Sequence, residues 1–325
     1  MFRTEFKIST LNNKIDHRSG LFFLGSCFSE NIADRMYALK FNTLSNPFGI
    51  IYNPVSIASE LRRHLNGKWV NNNDVFISGG IYRSFDFHSL KSHPEKESAI
   101  RLMNDAIRTG KIFLEKTTHL IITFGTAMVY RIKDLKAVVA NNHKLPVENF
   151  IKEQLNQKKI IDEWTELILE IKNRIPGIQI IFTVSPIRHI REGIVENSRS
   201  KAILIDSIHE LIQKLPDIYY FPSYELMLDD LRDYRFYEKD MIHPNEVAIE
   251  YICEKFINAC FDPQCYETMN QVMFINNAMK HKPFFPETEE HQLFLKNTLA
   301  KILQVKKENP ALDFEKEINY FSGIK

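Results

Sequence analysis

Apolar and polar positions along the chain follow two periods. Short runs that are apolar at nearly every position, residues 21–24, His119–Phe124 and 178–184, read as strands buried on both faces. Ile218–Phe221 adds a shorter one. Between these runs, apolar residues recur every three to four positions, as in Ile32, Ala33, Met36, Tyr37 and Leu39. That spacing predicts helices over 28–39, 95–108, 153–173 and 200–215, and one over 55–65 opened by Pro54. The segment 75–89 reads as strands with turns. Buried strands alternating with helices predict a mainly parallel, doubly wound α/β sheet over residues 1–261.

Beyond residue 262 the pattern changes to helix without strand. Two helical stretches, 263–280 and 287–306, are split by Lys282-Pro283-Phe284-Phe285-Pro286. Residues 262–325 are therefore expected to form an α-helical appendage. It should bury Phe284, Phe285 and Phe294 against the sheet domain or a second subunit, so a homo-oligomer through these helices is one expectation.

Two segments carry the candidate chemistry. In Gly25-Ser26-Cys27-Phe28-Ser29 a hydroxyl and a thiol stand between the first strand and a helix. The C-terminal edge of a parallel sheet is where ligands collect, and a helix N-terminus stabilises a thiolate or an oxyanion. The plainer readings are that Ser29 caps the helix and that Cys27 is a buried, inert thiol. Far along the chain, Asp240-Met241-Ile242-His243-Pro244 places a carboxylate three residues before an imidazole. Pro244 fits the first turn of a helix running through Val247, Ile249, Ile252 and Phe256. A nucleophile, a base and an orienting carboxylate are the parts of covalent acyl transfer. The exits Gly125-Thr126-Ala127 and Ser185-Pro186 should share the same sheet edge. The backbone N–H groups of Cys27 and Gly49 are candidate oxyanion donors. Arg188 and His189, after the third strand, are candidates for substrate contact.

Composition narrows the classes. Apolar residues make up 44%, charged residues 26%, and the formal net charge is +1, so nothing points to nucleic acid or an anionic membrane. No apolar run has the length of a bilayer span. The first residues, Met1 to Lys7, lack the apolar core of a signal peptide. The four cysteines suggest neither a disulfide framework nor a zinc site. A cytoplasmic protein without metal or cofactor is the expectation.

The chain resembles the GSCFA family, whose N-terminal motif reads here Gly25-Ser26-Cys27-Phe28-Ser29. The resemblance extends through Asn46-Pro47-Phe48-Gly49, Thr123-Phe124-Gly125-Thr126, Thr183–His189 and Asp233–Tyr237 to Asp240–Pro244, most of the chain. It implies a distant relationship to SGNH/GDSL hydrolases, which have a flavodoxin-like α/β/α sandwich and cleave acyl esters, often of sugars or lipids. By that resemblance the nucleophile position falls on Cys27, with Ser26 as runner-up. The second-block glycine falls on Gly49, and the base and its carboxylate fall on His243 and Asp240. Two departures stand out: cysteine occupies the serine slot, and the third block reads Gly125-Thr126-Ala127 without its asparagine. Thr126 or Asn46 would have to supply that donor. The helix N-terminus and a protonated His243 are expected to depress the Cys27 thiol pKa.

The leading expectation is an acyl-ester hydrolase or acyltransferase acting on a small-molecule or carbohydrate ester. A catalytically weak or inactive relative that binds an acylated or glycan ligand is the alternative. A third reading makes the sheet domain a scaffold for a protein complex formed by the appendage.

Overall fold

The computed structural model describes residues 4–323. The first three residues, part of the stretch weighed as a signal peptide, and the last two of the appendage lie outside the described residues. In chain order the elements are β1 (Gly20–Gly25), α1 (Cys27–Ala38), β2 (Asn42–Ser45), α2 (Pro54–Asn66), β3 (Phe76–Ser78), β4 (Ile81–Arg83), α3 (Lys96–Leu114), β5 (His119–Phe124), β6 (Met128–Ile132), β7 (Val138–Val139), β8 (Phe150–Gln154), α4 (Gln157–Arg174), β9 (Gln179–Val184), α5 (Ile194–Lys214) and β10 (Ile218–Phe221). A short turn α6 (Ser223–Glu225) then runs into a π-helical turn, Leu226–Leu231. The chain finishes with α7 (Glu246–Cys260), α8 (Tyr266–Lys280), α9 (Glu289–Glu308) and α10 (Glu315–Phe321).

Five strands form one parallel sheet in the order β10-β9-β5-β1-β2. Counting only these strands in chain order, this is the flavodoxin-like 2-1-3-4-5 arrangement, whose switch point lies between β1 and β5. The parity of each strand sorts its side chains into two layers. Phe22, Leu24, Ile122, Phe124, Ile180 and Phe182 pack beneath α2, α3, α4 and α5, while Leu21, Phe23, Ile121 and Ile181 pack with α1 and α7. The expected parallel α/β/α sandwich is the observed one. Its register pairs Gly25 with Thr123 and Phe124 with Val184, so three strand exits open onto one edge.

Two small antiparallel sheets, β3-β4 and β7-β6-β8, decorate that frame. The second takes residues 150–154, so α4 starts later than its periodicity suggested. Asn156, a residue inside the predicted run, caps it by accepting from Lys159 N–H. The N-terminal segment clasps the end of α7: Leu11 and Ile15 donate to the carbonyls of Ala259 and Cys260, and Asp262 donates back to Ile15. Cys253 and Cys260 lie buried in α7, and all four cysteines are free.

The C-terminal helices build a core of their own from Val272, Ile275, Ile302, Val305, Phe314 and Phe321. They dock on the end of α1 through the largely buried Lys40–Glu317 ion pair (2.7 Å) and an Asn276 bond to the Ala38 carbonyl (2.7 Å). Phe294 packs against that core, but Phe284 and Phe285 do not. They are 95% and 74% exposed, because the prolines on either side of them hold an irregular loop between α8 and α9.

Candidate functional site

Gly25 ends β1 at φ +132°, a conformation open to glycine, and its ideal Cβ would lie 2.1 Å from the Thr123 carbonyl oxygen. Ser26 follows as the N-cap residue of α1, fully buried, with its hydroxyl bonded to nothing among the described residues. Ser29, the expected cap, lies inside the helix and is also buried. Cys27 is the first helical residue and is partly exposed. Of the two adjacent candidates, only Cys27 presents its side chain toward solvent.

The Cys27 thiol is not activated as expected. Burial raises its pKa, and the nearby Glu30 carboxylate adds to the rise. The amides of Cys27 and Phe28 and the Lys201 ammonium pull the other way without reversing it. His243 does not figure among these influences, and no hydrogen bond joins it to Cys27 among the described residues. The helix dipole is therefore outweighed by desolvation.

The Asp240–His243 pair comes from the loop before α7. Asp240 Oδ1 accepts from the N–H groups of Ile242 (2.9 Å) and His243 (3.0 Å), and Oδ2 lies 2.6 Å from His243 Nδ1. These three bonds hold the Asp240 carboxyl down to about 2. The imidazole is thus oriented through Nδ1, and both side chains are close to half exposed. Pro244 is not in the helix: Asn245 is the N-cap, bonding Ala248 N–H, and Pro244 bridges to Tyr237 just outside. The loop is fastened to the exit of β9. Arg188 donates its N–H to the Ile242 carbonyl and its guanidinium to the Met241 carbonyl, and it stacks on Tyr237 with its centre 4.2 Å from the ring centroid. Arg188 braces the His243 loop.

A family profile described as the GSCFA family matches residues 20–256, and a second, described as the C-terminal domain of GSCFA domain proteins, matches 272–323. The chain belongs to the GSCFA family. No curated protein matches the chain. In this GSCFA protein the name-giving segment spans the exit of β1 and the first turn of α1, on one side of the switch point; Gly125 and Thr126 lie on the other.

Most of the expected oxyanion donors in the GSCFA chain are already engaged. Gly49 N–H bonds the Asn46 carbonyl at 2.7 Å, and a Cβ on Gly49 would strike His88, so this glycine serves a tight turn. Asn46 takes Gly25 N–H on Oδ1 (2.8 Å) and gives Nδ2 to Glu30 (3.2 Å), tying the exit of β1 to the first turn of α1. Gly125 and Thr126 both donate to the Tyr52 carbonyl. Thr126 Oγ1 sits with Ser200 Oγ and accepts from Met128 N–H. His189 borders a cleft of about 560 Å³, whose lining includes Tyr52, Thr126, Arg188 and Ile242.

Sequence reasoning missed Lys201. This lysine is 1% exposed and donates to the carbonyls of Gly125 and Ser185, each at 2.7 Å. Burial drives its pKa down to about 7, with Cys27 opposing the shift. The signal was present in α5, where Asn197, Lys201, Leu204, Ile208 and Leu211 form one buried stripe at helical spacing. A lysine on such a stripe needs buried partners. Tyr52 and Glu30 also border Cys27 closely enough to interact electrostatically with it. No group of metal-ligating side chains occurs among the described residues, and no helix there is long and apolar enough to cross a membrane.

Proposed function

We propose that this GSCFA protein is an acyl-ester hydrolase or acyltransferase, distantly related to SGNH hydrolases, with Cys27 as nucleophile. The observation that carries this reading is the Asp240–His243 bond at 2.6 Å, which leaves the other imidazole nitrogen to act as base. His243 takes the thiol proton as Cys27 Sγ adds to the acyl carbonyl. The tetrahedral adduct then collapses and expels the alcohol, which carries away the proton from the imidazolium. Water or a second alcohol, deprotonated by His243, releases the acyl group from sulfur.

The raised thiol pKa of Cys27 and its lack of a bond to His243 favour a second reading, a cleft that binds an acylated ligand without turning it over. The deciding experiment exposes the protein to p-nitrophenyl acetate and a panel of acetylated sugars, following product and the intact mass. An acetyl adduct on Cys27, absent from Cys27→Ala and slowed in His243→Ala, supports the enzyme. Binding of an acetylated sugar with no adduct and no product supports the binder.

A further inference from the structure

We propose that His189 is the side-chain donor to the acyl oxyanion, its neutral imidazole presenting Nε2–H to the carbonyl oxygen of the substrate. This inference rests on the acyl-transfer reading. Tetrahedral adducts need donors fixed where the negative charge develops. The amides of Gly49, Gly125 and Thr126 and the side-chain amide of Asn46 all have partners already. His189 Nε2 is buried with no hydrogen-bond partner among the described residues, yet the residue lines the cleft. Ser26 Oγ is also unpartnered, but the whole Ser26 residue is buried, whereas His189 is partly exposed.

Register brings this nitrogen to the correct edge. Cys27 lies two residues beyond Gly25 and Gly125 two beyond Thr123, and Gly25 pairs with Thr123 on neighbouring strands. The exits therefore stand side by side, one strand spacing apart. His189 Nε2 lies 3.1 Å from the point a Cβ on Gly125 would occupy, so a larger residue there would crowd the ring. The ring is held edge-on against Tyr52, centroids 5.2 Å apart. Its backbone N–H is fixed by Asn197 Oδ1 at 2.8 Å. Burial, with Lys201 and His243 nearby, pushes the imidazole pKa down to about 3 and keeps the ring neutral. A neutral ring is a fixed donor that does not exchange its charge with the developing oxyanion.

The test compares two reactions of the same thiol. Acetylation of Cys27 by p-nitrophenyl acetate passes through an oxyanion; alkylation by iodoacetamide does not. His189→Ala should slow acetylation by about 10²-fold, the scale of one lost oxyanion donor, while alkylation stays within about twofold. His189→Gln, which restores an N–H donor, should recover much of the loss. Nitrogen NMR of the wild-type ring should report neutral Nε2–H from pH 5 to 8, a readout independent of how the variants fold. An imidazolium in that range, unchanged acetylation in His189→Ala, or acetylation and alkylation falling together would each overturn the assignment while leaving the nucleophile untouched. Wild-type Cys27 that alkylates but never acetylates would overturn the acyl-transfer reading, and this one with it.

Discussion

Lys201 Nζ lies 2.7 Å from the carbonyl oxygen of Gly125, on a helix face otherwise given to packing. Through its second bond, to Ser185, one ammonium ties the exit of β5 to that of β9. Lys201→Met keeps the length of the side chain and leaves two buried carbonyls without their donor. It should cost roughly 2–5 kcal/mol in urea unfolding, since each orphaned acceptor bears its desolvation penalty. A loss under about 1 kcal/mol would mean that water takes over the role.

The same lysine predicts a pH dependence. Its folded pKa is about 7 against 10.5 for the free side chain, so between those values only the unfolded chain holds the proton. Stability then rises with pH. Relative to Lys201→Met, the wild type should gain up to about 1.4 kcal/mol per unit from pH 7 to 8.5 and stay level below pH 6. The raised pKa of the buried cysteines and tyrosines works in the opposite sense, and because both proteins share these groups it cancels in the comparison. A flat difference between the two proteins would refute the assignment.

Asp240→Asn removes the charge that orients His243. Acyl turnover should fall by about 10²–10⁴-fold as the imidazole adopts the wrong tautomer, and the melting temperature at pH 7 should fall as the stabilising carboxylate is lost. Because the Asp240 carboxyl sits near 2 in the folded state, below its ordinary 3.8, its contribution to stability is present above pH 4 and lost as pH falls toward 2. Acid titration of the two proteins should therefore converge at low pH.

Iodoacetamide should label Cys27 before any other cysteine, because Cys253, Cys260 and Cys265 are buried. Its rate should climb chiefly above pH 9, following the raised thiol pKa. A labelling midpoint near neutrality would restore the activated-thiol expectation. Ser26→Ala should retain turnover and lose less than about 1 kcal/mol, since it removes a hydroxyl that bonds nothing.

Removal of residues 266–325 should lower the melting temperature. Lys40 would lose Glu317 and Phe314, and Met269 would leave the core beneath α1 and α7. An unchanged melting temperature would make the C-terminal helices an independent body.

Strands buried on both faces were legible because nearly every position in them is apolar. His119–Phe124 and Ile218–Phe221 match to the residue. β2 was not legible: Leu44 is its lone large apolar residue, and the strand pairs on one side only. The β6-β8 sheet escaped for a related reason, as its half-exposed strands show no clean alternation. Asp240 and His243 were readable because three residues suffice to build their turn. Lys201 and the spent amides of Gly49 and Gly125 were hidden, since their partners come from distant strands and loops.

The clasp between Ile15 and α7, and the Arg188 brace on the His243 loop, have a consequence for biosynthesis. Cys27 leaves the ribosome with the first strand; His243, the base in the proposed reaction, follows only after the last. Until β10 has threaded beside β9 and the brace has closed, the nascent chain carries Cys27 without the Asp240–His243 turn. A chain that stops before His243 therefore lacks the base of the proposed acyl transfer, and the Asp240–His243 turn with its Arg188 brace is among the last parts the growing polypeptide completes.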